Sequence, residues 1–131
     1  MQLQTPITKK AIKFGNGEAK HTNGHSKKTI SNKDFVFPAP DGATILDGIR
    51  KDVFLDRYSL KDEGGEPLEI YPEQMWRRVA WGISQQEKPG VRKYWEEKFH
   101  KALEGFKFVP GGRILSGAGT PYQVTYYNCY V

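Results

Sequence analysis

The feature that most constrains this chain is a cluster of glycines near its C-terminal end. The cluster comprises Gly111, Gly112, Gly117 and Gly119, with Pro110 and Pro121 on either side. Glycine adopts backbone angles that other residues avoid, and it lets another backbone or a ligand approach closely. A glycine cluster between two prolines therefore predicts a shaped loop rather than a helix.

The run after this predicted loop carries the only cysteine of the chain, Cys129. Residues 124–131 are rich in β-branched and aromatic side chains, and this composition predicts a strand. Composition leaves the reactivity of the thiol open, because single cysteines are commonly buried and inert. Its position makes it a candidate, since it lies at the outlet of the glycine loop and next to Asn128.

The glycine loop is rich in backbone N–H groups and has Arg113, Ser116 and Thr120 at hand. Such a loop can hold an anion or a polar substrate group. A plain turn between a helix and a strand is the more common meaning of this spacing. The Rossmann and P-loop motifs are excluded, because no predicted strand precedes Gly119, no helical pattern follows it, and no GxxxxGK[ST] is present.

The lysines are concentrated at the N-terminus. Residues 1–33 hold seven lysines and one acidic residue, whereas the whole chain has a net charge of +5. This segment has little to bury, so we predict a disordered, solvated tail. A nucleic-acid partner is the less favoured alternative, because the tail lacks the recurring aromatic side chains that base stacking uses. His21 and His25 have the spacing of two helical metal ligands, but no cysteine or acidic cluster completes a site, so we predict none.

Composition also bears on the size of the core and on the compartment. A hydrophobic fraction of 37% is low for an independent core of 131 residues, so we expect part of the chain to stay unfolded or to need a partner surface. A lone cysteine excludes a disulfide-stapled secreted domain. No apolar run approaches the ~20 residues that span a membrane, and the N-terminus lacks the apolar core of a secretory signal. We therefore predict a cytoplasmic protein without a membrane partner.

The clearest predicted helix begins at Pro72, which suits a first helical turn, and is ended by Pro89-Gly90. Its predicted buried positions are Met75, Trp76, Val79, Ala80 and Ile83. Its predicted exposed positions are Arg77, Arg78, Gln85 and Gln86. A further helix, predicted from Val91 to Leu103, completes an antiparallel hairpin and ends at Gly105. We interpret its aromatic stripe of Tyr94, Trp95 and Phe99 as core packing rather than a cofactor site.

A less regular helix is predicted within Ile45–Leu60, where Ile45, Ile49, Val53 and Leu60 form a rough apolar stripe. Turns and extended segments are predicted around it. The turns are Asp41-Gly42 and Asp62–Pro67, and the extended segment, expected to dock on the core, is Phe35–Pro40.

Several runs of residues resemble a known family. The run FVPGGRILSGAGT, followed by VTYYNCYV, closely resembles the start of the catalytic region of adenosylcobalamin-dependent, or class II, ribonucleotide reductases. These enzymes have a P-x-GR-x-L-x-GAGT loop that leads to an N-C-[FYW]-V strand. Three upstream segments resemble the helical N-terminal region of these enzymes. They are VFLDRYSLKD, WRRVAWGISQQE and YWEEKFHKALEGFKFVP. The resemblance covers roughly Asp52 to Val131 and is most specific at its end.

The resemblance implies a mainly α N-terminal region that leads through the glycine-rich loop into the first strand of a ten-stranded α/β barrel. On this basis we divide the chain into three parts. These are a disordered basic tail (residues 1–33), the helical region (34–109), and the loop and first barrel strand (110–131), which begin an incomplete catalytic domain.

The resemblance also implies chemistry. In a vitamin B12-dependent ribonucleoside-diphosphate reductase, a cobalamin cofactor generates a thiyl radical, the ribose 2′-hydroxyl of a ribonucleotide is removed, and a cysteine pair supplies two electrons. Cys129 matches the N-terminal member of that pair. Asn128 and Cys129 match positions that line the substrate, and Gly112 and Arg113 match the segment that approaches the nucleotide. A thioredoxin-like reductant would restore the thiols.

The partner cysteine, the radical-forming cysteine and the cobalamin surface lie beyond residue 131 in this family. We therefore expect the 131-residue chain to be inactive alone, as a truncated product, a split-gene half or the portion before an inserted element. A C-terminal polypeptide would complete the barrel. Two alternatives remain: the large subunit of a class I reductase, which takes its radical from a separate metal-bearing subunit, and a small basic nucleic-acid-binding module. The GAGT motif and the pair Asn128-Cys129 favour class II.

Overall fold

Four α-helices carry the fold of residues 32–127, the part of the chain that the computed structural model describes. The helices are α1 (Gly48–Arg57), α2 (Pro72–Ser84), α3 (Arg92–Leu103) and α4 (Gly112–Gly117). Short 3-10 turns cover Asn32–Phe35, Pro89–Val91 and Glu104–Phe106. The predicted helical character of this region is confirmed. The barrel stays a prediction.

Helix α2 forms where its periodicity predicts it. Pro72 occupies its first turn, and the Gln74 side-chain oxygen accepts hydrogen bonds from the backbone N–H groups of Ile70 (2.8 Å) and Tyr71 (3.1 Å). These bonds satisfy donors that a helix start otherwise leaves open. The apolar positions that face the core are buried as predicted, and they are Met75, Trp76, Val79 and Ala80.

Helix α3 packs on α2, and the two form the predicted hairpin. Trp76, near the start of α2, contacts Phe106, which follows α3, with ring centroids 4.9 Å apart. The helices therefore run antiparallel. Gly105, with φ of 65°, ends α3 as predicted, because this backbone conformation favours glycine.

The aromatic stripe of α3 is less buried than we predicted. Tyr94 is 55% exposed and Trp95 is 38% exposed, whereas Leu103 is buried. Trp95 instead stacks on Phe99, with centroids 5.6 Å apart. The core-packing interpretation is therefore wrong for Tyr94 and Trp95. Since the main helix contact of α3 in the described part of the chain is with α2, the edge that carries Tyr94 and Trp95 stays in contact with water.

The apolar stripe that we predicted to be buried on α1 is largely exposed. Ile45 is 84% exposed and Ile49 is 77% exposed, while Phe54 is buried in the core. Phe54, and Tyr58 one turn later, face the core instead. Burying these two aromatic rings removes more apolar area from water than burying the aliphatic stripe would. Leu60 is buried as predicted, but it lies beyond the end of the helix.

Side-chain hydrogen bonds hold the irregular parts of the chain that precede α2. The predicted turns at Asp41-Gly42 and within Asp62–Pro67 are present. Docking of the Phe35–Pro40 segment is confirmed, because the Gln74 side-chain amide donates to the Phe37 carbonyl at 2.8 Å. Asn32, which we assigned to the tail, is buried and donates to the Lys61 carbonyl (2.6 Å) and the Tyr122 hydroxyl (2.7 Å). Residues 1–31 lie outside the described part of the chain.

The glycine-rich stretch differs from the predicted loop. Gly112–Gly117 is the short helix α4, so the loop prediction is wrong for these six residues. Gly112 and Gly117 stand at its two ends, where glycine disturbs a helix least, and Leu115 is buried between them. No strand is found over residues 124–127, and residues 128–131 lie outside the described part. A strand needs a neighbour for its backbone hydrogen bonds.

Helix α2 and the stretch after α4 touch backbone to backbone at two glycines. A Cβ atom on Gly82 would overlap the backbone nitrogen of Gly119. In turn, a Cβ atom on Gly119, which has φ of 71°, would overlap the carbonyl oxygen of Arg78. The close approach therefore requires glycine on both sides.

We predict that Gly82→Ala lowers the free energy of unfolding by about 1–3 kcal/mol, because the added methyl must push two backbones apart. Gly90→Ala is the matched control, because its added methyl meets no atom within 4 Å. Its effect should stay within about 0.5 kcal/mol. Urea denaturation of both variants measures the difference. Equal stabilities for the two variants would contradict the close contact.

The α2–α3 seam contains two groups with displaced pKa values. Burial lowers the pKa of His100 from its ordinary 6.5, and Arg77 lowers it further against the opposing effect of Glu104. Burial raises the pKa of Glu96 from its ordinary 4.5; Arg77 and Lys93 oppose this rise, whereas a neighbouring carboxylate adds to it. Both shifts disfavour the charged form in the folded protein.

These shifts predict opposite pH effects. As the pH falls below about 6.5, the unfolded chain protonates His100 before the folded chain does, so this residue makes stability fall. Glu96 works in reverse, because the folded chain takes up its proton first. His100→Gln should therefore flatten the decline in Tm between about pH 7.5 and 5. Glu96→Gln should steepen it. Parallel Tm–pH curves for the two variants would refute the assignment.

Candidate functional site

A polar pocket of about 430 Å³ opens beside α4 and the turns that follow it. Its position depends on α4, which presents its polar side chains to the pocket and its buried Leu115 to the core. The lining residues are Arg113, Ser116, Gly117, Thr120, Tyr122, Gln123, Val124 and Thr125. This is the stretch for which the sequence left two interpretations open, a plain turn or a loop that holds a polar or anionic group.

The pocket wall combines one guanidinium with hydroxyl groups. Arg113 Nη1 donates to the carbonyl of Tyr127 at 2.6 Å, which links α4 to the last described residue. The Thr120 hydroxyl donates to the Gly117 carbonyl at 2.8 Å. Arginine and hydroxyl side chains are suited to phosphate and sugar oxygens. The pocket can therefore bind a polar or anionic group.

Gly117 is required by the shape of this pocket. A Cβ atom there would lie 2.5 Å from Val124 Cγ2 and 3.4 Å from Tyr126 Cε1. A side chain at this position would push away the segment that folds over α4 and forms the opposite wall. The small residue therefore sets the width of the pocket.

Behind the pocket lies a buried ion pair between Arg78 of α2 and Glu69. Both side chains are fully buried. Arg78 Nε donates to Glu69 Oε1 at 2.7 Å and Arg78 Nη2 donates to Glu69 Oε2 at 2.9 Å, which is a bidentate arrangement. Glu69 Oε2 also accepts from the backbone N–H of Leu60 at 3.0 Å.

The same guanidinium joins three parts of the chain. Arg78 Nη1 donates to the Ala118 carbonyl at 2.6 Å. Arg78 Nη2 donates to the carbonyls of Leu115 (3.0 Å) and Tyr58 (3.1 Å). Arg78 therefore connects α2 to the end of α1 and to α4.

Sequence reasoning missed this role, because it placed Arg78 on the exposed face of its helix. That prediction is wrong, and the reason is that Glu69 and the carbonyl groups satisfy the guanidinium and offset its loss of water. A signal was present in the sequence. Glu69 lies between the apolar residues Leu68 and Ile70, and an acid in such a setting is a candidate for a buried pair. Gly82, which lies within α2 two residues before its end, was a second signal.

The structure separates two of the predicted site residues. Arg113 lines the polar pocket, whereas Gly112 lies beside Tyr58, where an added Cβ would be 3.3 Å from Tyr58 Cε1. The predicted residues Asn128 and Cys129 lie outside the described part of the chain. The substrate-binding roles of all four therefore stay predictions.

Gly112 borders a second cavity, an open apolar groove of about 630 Å³. Of the residues that line it, Arg50 alone is charged. The other lining residues are Leu46, Ile49, Val53, Phe54, Tyr58, Met75, Phe106, Val109, Pro110, Gly112 and Leu115. The groove therefore contains the exposed stripe of α1.

The described residues contain neither a cluster of metal ligands nor a helix that could cross a membrane. Within residues 32–127, no three histidine, cysteine, aspartate or glutamate side chains lie together in a way that could hold a metal ion. His21 and His25 lie outside this range. None of the helices in the same range combines the length and the apolar character that crossing a membrane requires.

Comparisons with known proteins agree on one family. Residues 48–123 match the model of the ribonucleotide reductase all-alpha domain. Two vitamin B12-dependent ribonucleoside-diphosphate reductases of Mycobacterium tuberculosis, from strains CDC 1551 / Oshkosh and ATCC 25618 / H37Rv, are each 36% identical to this chain over 70 residues. The match covers 52% of this chain and 10% of each relative. No solved structure matches the chain significantly.

The chain thus spans about one tenth of the length of the curated relatives that it matches. The family model covers more than half of the chain, including α1, α2, α3 and α4. The chain therefore belongs to the ribonucleotide reductase family, and its helices are the all-alpha domain of that family.

Proposed function

We propose that this chain is the N-terminal region of a cytoplasmic, vitamin B12-dependent ribonucleotide reductase. The observation that carries the proposal is the match of residues 48–123 to the reductase all-alpha domain, together with the identity to two B12-dependent reductases. Because both relatives are named as B12-dependent, a class II enzyme is favoured over a class I large subunit. The family match also disfavours a basic nucleic-acid-binding module.

The proposed reaction replaces the 2′-hydroxyl of a ribonucleotide with hydrogen. The hydroxyl leaves as water, and two cysteine thiols supply two electrons and two protons and become a disulfide. Cys129 is one of these thiols in our proposal, and a cysteine elsewhere in the complete enzyme is the other. A thioredoxin-like dithiol then reduces the disulfide by exchange.

The described residues support a binding role at the edge of this site. Arg113 and Thr120 present a guanidinium and a hydroxyl to one pocket, which fits the phosphate and sugar oxygens of a nucleotide. Arg113 also holds the carbonyl of Tyr127, the residue before Asn128 in the sequence. We therefore propose that Arg113 helps both to bind the substrate and to fix the start of the segment that carries Cys129.

The described residues do not suit cobalamin itself. The groove is lined by apolar side chains with one charge, whereas a corrinoid carries many amide groups that need polar partners. The polar pocket, at about 430 Å³, matches a smaller ligand. Adenosylcobalamin, which would supply the radical when bound, is therefore assigned to the remainder of the complete enzyme.

The apolar groove supports the proposal that the all-alpha domain works as part of a longer protein. Ile49 and Val53 are exposed on α1, and exposed apolar patches of this kind mark contact surfaces. The relatives are about ten times longer than the matched region. We propose that the remainder of the reductase covers this groove.

A chimeric enzyme tests the proposed activity. Residues 1–131 would be joined to the remainder of the M. tuberculosis relative, with the intact relative as the positive control. We expect adenosylcobalamin-dependent formation of deoxyribonucleotides from the chimera. Cys129→Ser should abolish multiple turnover with a dithiol reductant, because one of the two electron-donating thiols is lost. Sustained turnover by the Cys129→Ser chimera would refute the role of Cys129.

Charged substitutions test the groove. Ile49→Asp combined with Val53→Asp should leave the Tm of the isolated chain nearly unchanged, because both side chains are already exposed. In the chimera the same pair should lower the Tm and increase protease cleavage at the junction, since the carboxylates would be buried. Lys51→Asp, on α1 outside the groove lining, is the control and should have little effect in either protein. If Lys51→Asp lowers the Tm of the chimera and increases its cleavage as much as the Ile49→Asp/Val53→Asp pair does, the groove is not covered.

A further inference from the structure

We propose that Arg78 is a positioning residue for the polar pocket: from behind, it fixes the backbone that presents Ser116, Gly117 and Thr120 to the ligand. The nature of the ligand, a ribonucleotide, rests on the proposed function. The positioning itself rests on geometry alone. Arg78 is fully buried and does not line the pocket, so it acts through the backbone rather than by touching a ligand.

Two of the three carbonyl groups to which Arg78 donates lie at either end of the pocket floor. Nη2 donates to Leu115 at 3.0 Å and Nη1 donates to Ala118 at 2.6 Å. Ser116 and Gly117 lie between these two residues and line the pocket on the other side. One rigid, planar guanidinium therefore fixes both ends of the stretch that faces the ligand.

Backbone contact blocks movement of this stretch toward α2. Gly119 lies directly on α2, where even one methyl group on either Gly82 or Gly119 would collide with the opposite backbone. Thr120 follows at once and lines the pocket. The stretch is thus held by hydrogen bonds at two carbonyls and by close packing at Gly119.

The orientation of Arg78 is itself predetermined. Glu69 receives it with two parallel hydrogen bonds, and Glu69 is in turn held by the Leu60 N–H at 3.0 Å. The Ser59 hydroxyl donates to the Glu69 carbonyl at 2.7 Å. Because the carboxylate neutralises the guanidinium, Arg78 contributes shape to the pocket and little net charge.

Arg78→Lys tests this role, because lysine keeps the positive charge but lacks the planar fork that joins Glu69 to the carbonyls of Leu115 and Ala118. Leu103→Ala, a core substitution on α3, is the control for a general loss of stability. In the isolated chain, amide hydrogen exchange over residues 115–120 should be about tenfold faster in Arg78→Lys than in Leu103→Ala, measured where both variants are folded. Equal exchange in this stretch would overturn the proposal.

The chimeric reductase provides the second measurement. Arg78→Lys should raise the KM for the ribonucleotide by about tenfold with a smaller change in kcat, because misplaced binding groups weaken substrate positioning. Leu103→Ala should leave KM within about twofold. A similar rise in KM for both variants would refute the positioning role. If the unsubstituted chimera is inactive, the proposed function fails, while the exchange measurement still decides the role of Arg78.

A second variant covers the case in which Arg78→Lys does not fold. Glu69→Gln keeps the size of the side chain and one oxygen acceptor, but it removes one of the two parallel acceptors that orient the guanidinium. It should give the same local increase in exchange over residues 115–120 to a smaller extent. Exchange that increases evenly over α2 and α3 instead would contradict the proposal.

Discussion

The buried pair of Arg78 and Glu69 is the interaction on which the described structure depends. Moving two charges out of water is costly, so such a pair is tolerated only when its hydrogen-bonding groups find partners. Here the partners are the Tyr58 carbonyl at the end of α1, the Leu115 and Ala118 carbonyls at α4, and the Leu60 N–H. Removing one partner alone would leave an uncompensated buried charge, at a cost of about 3–5 kcal/mol. The pair therefore ties helix packing to the site.

The sequence predicted best where one physical rule acts alone. Helix α2 has a continuous apolar face, a proline in its first turn and Gln74, whose side chain caps its start, and these local features predict where it begins. Its end at Ser84 comes earlier than the predicted stop at Pro89-Gly90. Helix α1 was located correctly, but its buried face was not, because packing chose Phe54 and left Ile49 in contact with water. Arg78 was missed for a related reason: its burial depends on a partner nine residues away and on carbonyls of α4, which no local pattern encodes.

The glycine-rich stretch shows how a correct expectation about backbone contact can accompany a wrong one about secondary structure. The cluster predicted close backbone approach, and Gly119 does approach another backbone at α2. The same reasoning denied a helix at Gly112–Gly117, because the tertiary contacts that hold such a short helix were not visible. A six-residue helix is not stable by itself in water. Arg78, through its bonds to Leu115 and Ala118, supplies part of what it lacks.

Helix α4 stands between the two cavities of this domain. Gly112 and Leu115 border the apolar groove, whereas Arg113 and Ser116 line the polar pocket. Any polypeptide that covers the groove would therefore contact the same short helix that shapes the pocket. Because Arg78 anchors this helix to α2, the groove and the pocket are two faces of one rigid unit. A polypeptide that contacts one face therefore contacts the unit that shapes the other. A chain of low apolar content can therefore leave apolar surface exposed in the groove and still hold the backbone of the pocket in place through Arg78.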